Sequence, residues 1–155
     1  MDATDISVYK RIQIPKSIRP QRSNPVTTWW KNLSSPTIIK EANSVNSIDF
    51  SPAKPYDFIY ASGTKSYLYS GHSNELVRTY TSKDVIHSCS YRGDGRLFCV
   101  GSRDGCVQIY DESSVKSNPL RVFKAHDSSV FVSLFSQNNS QLFTASGDCI
   151  LKLWD

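Results

Sequence analysis

The sequence predicts an all-β protein built from repeating four-stranded sheets. Apolar and polar residues alternate with a period of two in many short runs, as in strands that bury one face. Turn pairs such as Asp94-Gly95 and Asp104-Gly105 separate these runs, because Asp and Gly tolerate the backbone angles of tight hairpins. No long apolar face with the helical period of 3.6 is visible.

Three stretches of the chain repeat one pattern. Each has a strand ending in an aromatic residue, a turn, a second apolar run ending in a small residue and Ser, a short polar turn, and a third strand ending in an aromatic residue. The aligned serines are spaced 40 and 44 residues apart, at Ser62, Ser102 and Ser146. Internal repeats at this spacing indicate one supersecondary unit used several times.

Shorter runs between these stretches supply a fourth strand to each unit. They lie at 76–80 and 120–126, and the run TIIKEA at 37–42 occupies the same place before the first unit. The units therefore span about 45–80, 86–123 and 130–155. Four-stranded units of this period predict a β-propeller over 37–155. Propellers close with about 4–8 blades, so the propeller is expected to be incomplete and the chain to be part of a longer one.

The N-terminal residues 1–36 have a different composition. No Asp or Glu occurs between Ile6 and Lys40, and four prolines interrupt the segment. This composition predicts an extended basic arm rather than a helix or a central strand. The arm is either a solvated tail or a contact for RNA or another polyanion. The candidate contact residues are Lys10, Arg11, Lys16, Arg19, Arg22 and Lys31.

The sequence gives little support for a metal site, a cofactor site or a membrane span. None of the four cysteines forms a C-x-x-C pair or has zinc-ligand spacing with a histidine, so they are expected to be reduced and no metal or cofactor is predicted. Cys89, Cys99 and Cys149 lie within or beside apolar runs and are expected to act as small apolar residues. No run approaches the roughly 20 apolar residues of a membrane span, and no secretory signal is visible. Trp29 and Trp30 are expected to pack against the propeller or a neighbour rather than to stack on bases.

The repeats over 37–155 resemble the WD-repeat family. The third unit carries the clearest match, with Ala125-His126 where that family has Gly-His and Trp154-Asp155 at its end. The resemblance implies a buried hydrogen-bonded set formed by His126, Ser146, Asp148 and Trp154. The second unit has Ser102, Asp104 and Tyr110 but no His, and the first unit lacks both the His and the Asp.

A Ser, a His and an Asp together also raise the possibility of a hydrolase. Ser146 lacks the glycine pattern of a nucleophile elbow and would lie inside a blade. A structural role is therefore predicted, with no catalytic site.

The arm and the first unit are similar to a narrower group, the small-nucleolar-RNA-associated (UTP) WD-repeat proteins of the small-subunit processome. The matching segments are Tyr9-Lys10, Trp29-Trp30, Pro36 to Glu41 and Val45 to Pro52. The resemblance implies a nucleolar, non-catalytic scaffold that supports pre-18S rRNA processing, ribosome biogenesis and RNA polymerase I transcription. Its implied partners are other WD-repeat subunits and the 5′ external transcribed spacer of pre-ribosomal RNA, with no small-molecule substrate and no membrane. The alternatives are a WD-repeat adaptor of another complex and an RNA-binding arm on a β scaffold.

Overall fold

The computed structural model describes residues 24–34 and 36–155. The chain divides into two units, Met1–Ile39 and Lys40–Asp155. In the described part of the first unit, one helix, α1, covers Pro25–Lys31. The prediction of an extended arm is therefore wrong over these residues.

Helix α1 forms although prolines flank it. Pro25 stands at the first helical position, where its missing N–H donor costs nothing and its fixed φ suits a helix. Lys31 lies in the last turn, where a cation interacts favourably with the helix dipole. The rings of Trp29 and Trp30 contact each other edge to face at 4.7 Å, and more than half of each side chain is exposed. The packing of both tryptophans against the propeller or a neighbour stays a prediction.

The second unit consists of three antiparallel sheets, each with its strands in chain order. Blade 1 contains β1 (Val45–Phe50), β2 (Phe58–Ser62), β3 (Lys65–Tyr69) and β4 (Leu76–Thr81). Blade 2 contains β5 (Ile86–Tyr91), β6 (Leu97–Ser102), β7 (Cys106–Asp111) and β8 (Arg121–Lys124). Blade 3 contains β9 (Val130–Phe135), β10 (Leu142–Ser146) and β11 (Leu151–Trp154). The predicted all-β, partial propeller fold is confirmed.

The run at 37–42 does not form the strand that its pattern suggested. Within the described residues the first sheet begins at β1, and no strand pairs with 37–42. An isolated strand leaves its backbone N–H and C=O groups without partners, so apolar alternation alone does not make one.

Two apolar clusters fill the spaces between the blades. Between blades 1 and 2, Tyr80 and Phe98 are fully buried with ring centroids 5.0 Å apart. Between blades 2 and 3, Cys99 and Val130 belong to a second cluster, on which Trp154 packs. Burying one such large side chain stabilises the fold by about 1.5–3 kcal/mol, so these clusters stabilise the packing of neighbouring blades.

Polar bonds also link the first strands of neighbouring blades. The side chain of Asn46 on β1 donates to the carbonyl of Ile86, at 2.6 Å, and the carboxylate of Asp49 accepts from the backbone N–H of Tyr91, at 2.7 Å. The hydroxyls of Ser88 and Ser133 lie 2.9 Å apart between blades 2 and 3. These directional bonds fix the register of each blade against the next.

The cysteines vary in their surroundings. All four are free thiols in the structure. Burial raises the pKa of Cys89 to about 11 and that of Cys99 to about 12, so both stay protonated and act as small apolar residues. Cys149, by contrast, is exposed in the turn between β10 and β11.

Cys149 stands where the equivalent turn of blade 2 has Gly105. Both residues have positive φ, 64° at Cys149 and 81° at Gly105. A side chain at positive φ costs about 1–2 kcal/mol, which the larger unfolded-state entropy of Gly partly offsets. We expect Cys149→Gly to raise the free energy of unfolding by up to about 1 kcal/mol, measured by urea unfolding. Equal or lower stability would contradict this account of the turn.

Candidate functional site

Blade 3 contains a chain of buried polar side chains centred on His126. The Nδ1 atom of His126 lies 2.9 Å from the carboxylate of Asp148, and its Nε2 atom lies 2.8 Å from Oγ1 of Thr144. The indole N–H of Trp154 donates to the same hydroxyl oxygen, at 2.9 Å. His126 and Thr144 are almost fully buried. Each buried polar atom of the imidazole therefore has a partner, as the cost of burying polar groups requires.

Strand register explains how these residues meet. His126 precedes β9, Asp148 lies in the turn after β10, and Thr144 and Trp154 lie on β10 and β11. Trp154 pairs with Leu142, so Thr144 is its diagonal neighbour two residues along β10. Large aromatic side chains span such diagonals, and the indole therefore reaches Thr144 rather than the residue directly opposite.

Ser146 was predicted to belong to this set, and the structure corrects that assignment. Ser146 lies two residues beyond Thr144, about 7 Å along the strand, at the start of the turn. Its hydroxyl oxygen accepts from the backbone N–H of Asp148, at 3.4 Å, and helps to shape the turn. Thr144 is the hydroxyl that joins the imidazole to the indole, and the sequence reasoning missed it.

The same positions in the other blades carry different polar pairs. In blade 1 the hydroxyl of Tyr60 donates to the carboxylate of Glu41, at 2.6 Å, and these residues occupy the places of Thr144 and His126. Burial, followed by the hydrogen bond with Glu41, raises the pKa of Tyr60. In blade 1, Tyr60 and Glu41 therefore join β2 to the segment before β1, as Thr144 and His126 join the equivalent parts of blade 3.

In blade 2 a third set of side chains connects the opening segment to the sheet. Ser82 takes the place of His126 and accepts a long hydrogen bond, 3.4 Å, from the side-chain amide of Gln108. The hydroxyl of Tyr110 donates to the carbonyl oxygen of the same amide, at 2.6 Å. Ser102, the equivalent of Ser146, donates to Asp104 in the turn. Each blade is therefore tied from its opening segment to its sheet, but only blade 3 uses a histidine.

The carboxylate of Asp148 is held in its ionised form. Burial opposes ionisation, but the hydrogen bond with His126 and a further one from the backbone N–H of Ile150 outweigh it, so the pKa of Asp148 lies below its usual value. A carboxylate whose pKa is lowered on folding stabilises the fold above its unfolded pKa, near 3.9, and loses that effect as pH falls through the folded pKa. The contribution is thus complete at neutral pH and is lost in acid.

A pH series tests this electrostatic contribution. Because Asn cannot ionise, we expect the free energy of unfolding of Asp148→Asn to fall less steeply below about pH 4 than that of the unchanged chain. Urea unfolding midpoints measured at intervals from pH 7 down to pH 3 give the comparison. Parallel profiles for the two proteins would contradict it.

The buried set is poorly suited to hydrolysis. Thr144, whose hydroxyl contacts the imidazole, is fully buried and accepts from the indole. A nucleophile must reach a substrate carbonyl, and a hydroxyl enclosed between β-strands cannot. In the described residues no group of three or more His, Cys, Asp or Glu side chains is placed to hold a metal ion. The geometry indicates a structural role for the set.

The basic residues predicted to contact polyanions divide between two parts of the chain. Lys10, Arg11, Lys16, Arg19 and Arg22 lie outside the described residues. Lys31 ends helix α1 and is exposed. Within the described residues, no helix is long and apolar enough to cross a membrane.

Comparison with known proteins reveals clear similarities. The family described as WD domain, G-beta repeat matches residues 63–111 and 117–155. U3 small nucleolar RNA-associated protein 15 of Saccharomyces cerevisiae is 34% identical over 137 residues, which cover 88% of this chain and 27% of the yeast protein. The homolog of Xenopus laevis is 34% identical over 152 residues, covering 97% of this chain and 29% of the frog protein.

A relative from Schizosaccharomyces pombe, with the same protein name, is 35% identical over 147 residues, covering 89% of this chain and 29% of its own length. The chain thus spans less than a third of the relatives that it matches. The narrower resemblance seen in the sequence is confirmed by these similarities.

Proposed function

The chain belongs to the WD-repeat family, and from that premise we propose that it is a non-catalytic scaffold subunit of the small-subunit processome. The observation that carries the proposal is the similarity, across 88% to 97% of the chain, to proteins named as U3 small nucleolar RNA-associated. Such a subunit supports pre-18S rRNA processing and ribosome biogenesis, with RNA polymerase I transcription as a linked role. Its place in the cell is the nucleolus.

The mechanism of a scaffold is to present rigid surfaces. The blades are held in register by the bridging bonds of Asn46, Asp49 and Ser88, and the buried set around His126 stabilises blade 3 itself. A rigid surface loses little conformational entropy when a partner binds, which favours stable assembly. Its partners in the proposal are other WD-repeat subunits, and pre-ribosomal RNA of the 5′ external transcribed spacer approaches the basic arm.

Localisation and RNA co-purification test the scaffold role together. We expect the tagged protein, expressed in cells of its organism of origin, to concentrate in the nucleolus. It should also co-purify with U3 small nucleolar RNA and the 5′ external transcribed spacer. An unrelated cytoplasmic WD-repeat protein with the same tag is the control. A diffuse cytoplasmic signal, together with co-purification of the subunits of another complex, would contradict the proposal and favour the general adaptor role.

The arm has its own test. Because each neutralised phosphate contact releases counterions, replacing the arm's basic residues by Gln should weaken RNA binding and lower the slope of log affinity against log salt, by up to about 3.5 for single-stranded RNA. The residues to replace are Lys10, Arg11, Lys16, Arg19 and Arg22. Fluorescence anisotropy with an RNA of the 5′ external transcribed spacer, at several salt concentrations, measures both quantities.

A charge-matched variant separates the arm from the general charge of the protein. It replaces five exposed basic residues of the second unit: Lys54, Lys65, Lys83, Arg96 and Lys116. If the arm is the contact, this control keeps most of the affinity and the salt slope. Equal losses in the two variants would show that net charge alone attracts the RNA, and no loss in the arm variant would make the arm a tail or a protein-docking segment.

A further inference from the structure

Blade 2 has a cavity of about 480 Å³ where it meets blade 1. Its walls include Ser82, Asp104, Gln108 and Tyr110. All of the lining residues lie within 81–122, on β4, β7, β8 and the adjoining loops. Because blades 1 and 2 each have all four strands, two complete sheets form this cavity.

The repeat shows that the cavity stands where blade 3 holds an imidazole. Ser82 takes the place of His126, each four residues before the first strand of its blade. Asp104 takes the place of Asp148, two residues after the serine that ends the second strand. In blade 3 the imidazole fills the space between the carboxylate and β10. In blade 2 the smaller side chain of Ser82 leaves a cavity there.

Asp104 is placed like a carboxylate that binds a histidine. Its Oδ1 atom accepts from the hydroxyl of Ser102 and from the backbone N–H of Cys106, at 2.5 Å and 3.0 Å. Asp148 likewise accepts from a backbone N–H of its own turn through Oδ1, and it contacts His126 through Oδ2. Among the described residues, no nitrogen or oxygen donor bonds to Oδ2 of Asp104. This oxygen is therefore available to a donor that enters the cavity.

The charges around the cavity favour a neutral guest. Burial opposes the ionisation of Asp104, but the hydrogen bonds of its turn and the charge of Lys124 outweigh it, so the pKa of Asp104 lies below its usual value. The ammonium group of Lys124 donates to the backbone carbonyl of Asp104, at 2.7 Å, and the exposed Lys83 lines the cavity. Since two cations already offset this carboxylate, a third cation would gain little.

The cavity also offers a hydrogen-bond donor. The side chain of Gln108 is buried, its carbonyl oxygen accepts from Tyr110 at 2.6 Å, and its nitrogen makes a long bond of 3.4 Å to Ser82. An amide nitrogen has two N–H donors, so the second can serve a guest. A neutral imidazole has one N–H donor and one acceptor nitrogen, which match the carboxylate of Asp104 and the amide of Gln108. Guanidinium and ammonium groups have no acceptor.

From this complementarity we infer that the cavity of blade 2 binds a histidine side chain of a partner protein as a neutral imidazole. The ring N–H donates to Oδ2 of Asp104, and the other ring nitrogen accepts from the amide of Gln108. The partner thus supplies to blade 2 the ring that His126 supplies to blade 3. Val122 lines the cavity and is 52% exposed, so it can contact the partner's chain beside the histidine. The inference rests on the fold and is independent of the proposed processome role.

Peptide binding to the purified protein tests the site. The measurement is made at about pH 8.5, because imidazole, with a usual pKa of about 6.5, is then neutral. We expect acetyl-Gly-His-Gly-amide to bind at least tenfold more tightly than the same peptide with Arg or Phe in place of His. Titrations followed by saturation-transfer NMR give the dissociation constants. Equal binding of the three peptides, or no binding of the His peptide, would overturn the inference.

Two matched substitutions locate the bound peptide. Asp104→Asn keeps an oxygen acceptor for the turn but presents an amide N–H to the ring N–H, so it should weaken binding of the His peptide at least tenfold. Asp148→Asn is the control and should leave binding unchanged, because His126 already fills the equivalent place in blade 3. Circular dichroism establishes that both variants are folded. Equal affinities of the two variants for the His peptide would contradict binding at Asp104.

Filling the cavity from within gives a second readout. Ser82→His restores the residue type that blade 3 has at this position, and its ring should reach Asp104. We expect this variant to unfold at a higher urea concentration than the unchanged protein and to lose binding of the His peptide. Ser82→Ala leaves the cavity open and should retain binding. If Ser82→His bound the peptide as tightly as the unchanged protein, the peptide would lie outside the cavity and the inference would be wrong.

Discussion

Replacing Thr144 by Val is expected to lower the free energy of unfolding by about 2–4 kcal/mol, because the change leaves two buried polar groups without a partner. The Thr144 hydroxyl accepts from the indole of Trp154 and contacts Nε2 of His126, at 2.9 Å and 2.8 Å. Val has nearly the same shape, so the loss reflects the missing hydroxyl rather than a cavity. Urea unfolding followed by tryptophan fluorescence and circular dichroism measures it.

Ser146→Ala is the control for this substitution. Its hydroxyl accepts only one long bond, 3.4 Å, from the backbone N–H of Asp148, so the expected loss is about 1 kcal/mol or less. Thr144→Ser keeps the hydroxyl and should recover most of the stability. If Ser146→Ala proved as costly as Thr144→Val, the indole and imidazole would share a different acceptor from the one in the structure.

The distinction between these two hydroxyls shows what the sequence could and could not predict. The repeat and its turns follow from spacing and alternation, because each unit repeats one local pattern, and the role of His126 follows from the resemblance to WD repeats. Thr144 and Ser146 lie on the same side of β10, and alternation does not separate them. Only the register, which pairs Leu142 with Trp154, decides which hydroxyl the indole reaches.

Blades 1 and 2 show a second limit of sequence reasoning. The pair formed by Glu41 and Tyr60 has none of the residue types of the pair formed by His126 and Thr144, although it joins the same two positions. A search of the sequence for a histidine at this position finds only blade 3. Both pairs give buried polar groups a hydrogen-bond partner where the opening segment contacts a strand, and different residue types can do this.

Helix α1 shows the opposite error, a local rule applied too widely. Four prolines and several basic residues suggested an extended segment throughout 1–36. Proline breaks a helix in its interior but is accepted at the first position, which is where Pro25 lies. The number of prolines therefore predicts less than their positions do.

Replacing Gly105 by Ala is expected to lower the free energy of unfolding by about 2–5 kcal/mol, because the positive φ and a backbone clash act together. Gly105 has φ 81°, and a Cβ atom there would lie 2.0 Å from the carbonyl oxygen of His126. A backbone atom cannot move aside as a flexible side chain can. Urea unfolding, with expression of soluble protein as a second readout, measures the loss.

Gly147→Ala in the equivalent turn of blade 3 is the matched control. Its added Cβ would lie 3.1 Å from the ring of Phe131 and 3.2 Å from the hydroxyl of Ser128, both side-chain atoms that can shift. The expected loss is about 1 kcal/mol or less, since a few tenths of an ångström of adjustment relieves the contact. Equal losses at Gly105 and Gly147 would show that the clash with the His126 carbonyl is not what limits the turn of blade 2.

The two largest effects should be coupled through His126. The carbonyl of Gly105 accepts from the backbone N–H groups of Ala125 and His126, at 2.9 Å and 3.0 Å, so this turn of blade 2 positions the histidine of blade 3. Ala at 105 would displace His126 and weaken the same bonds that Val at 144 removes. We therefore expect the double variant to lose less stability than the sum of the single variants, by at least about 0.5 kcal/mol. Strict additivity would mean that the turn of blade 2 and the buried set of blade 3 stabilise the protein independently.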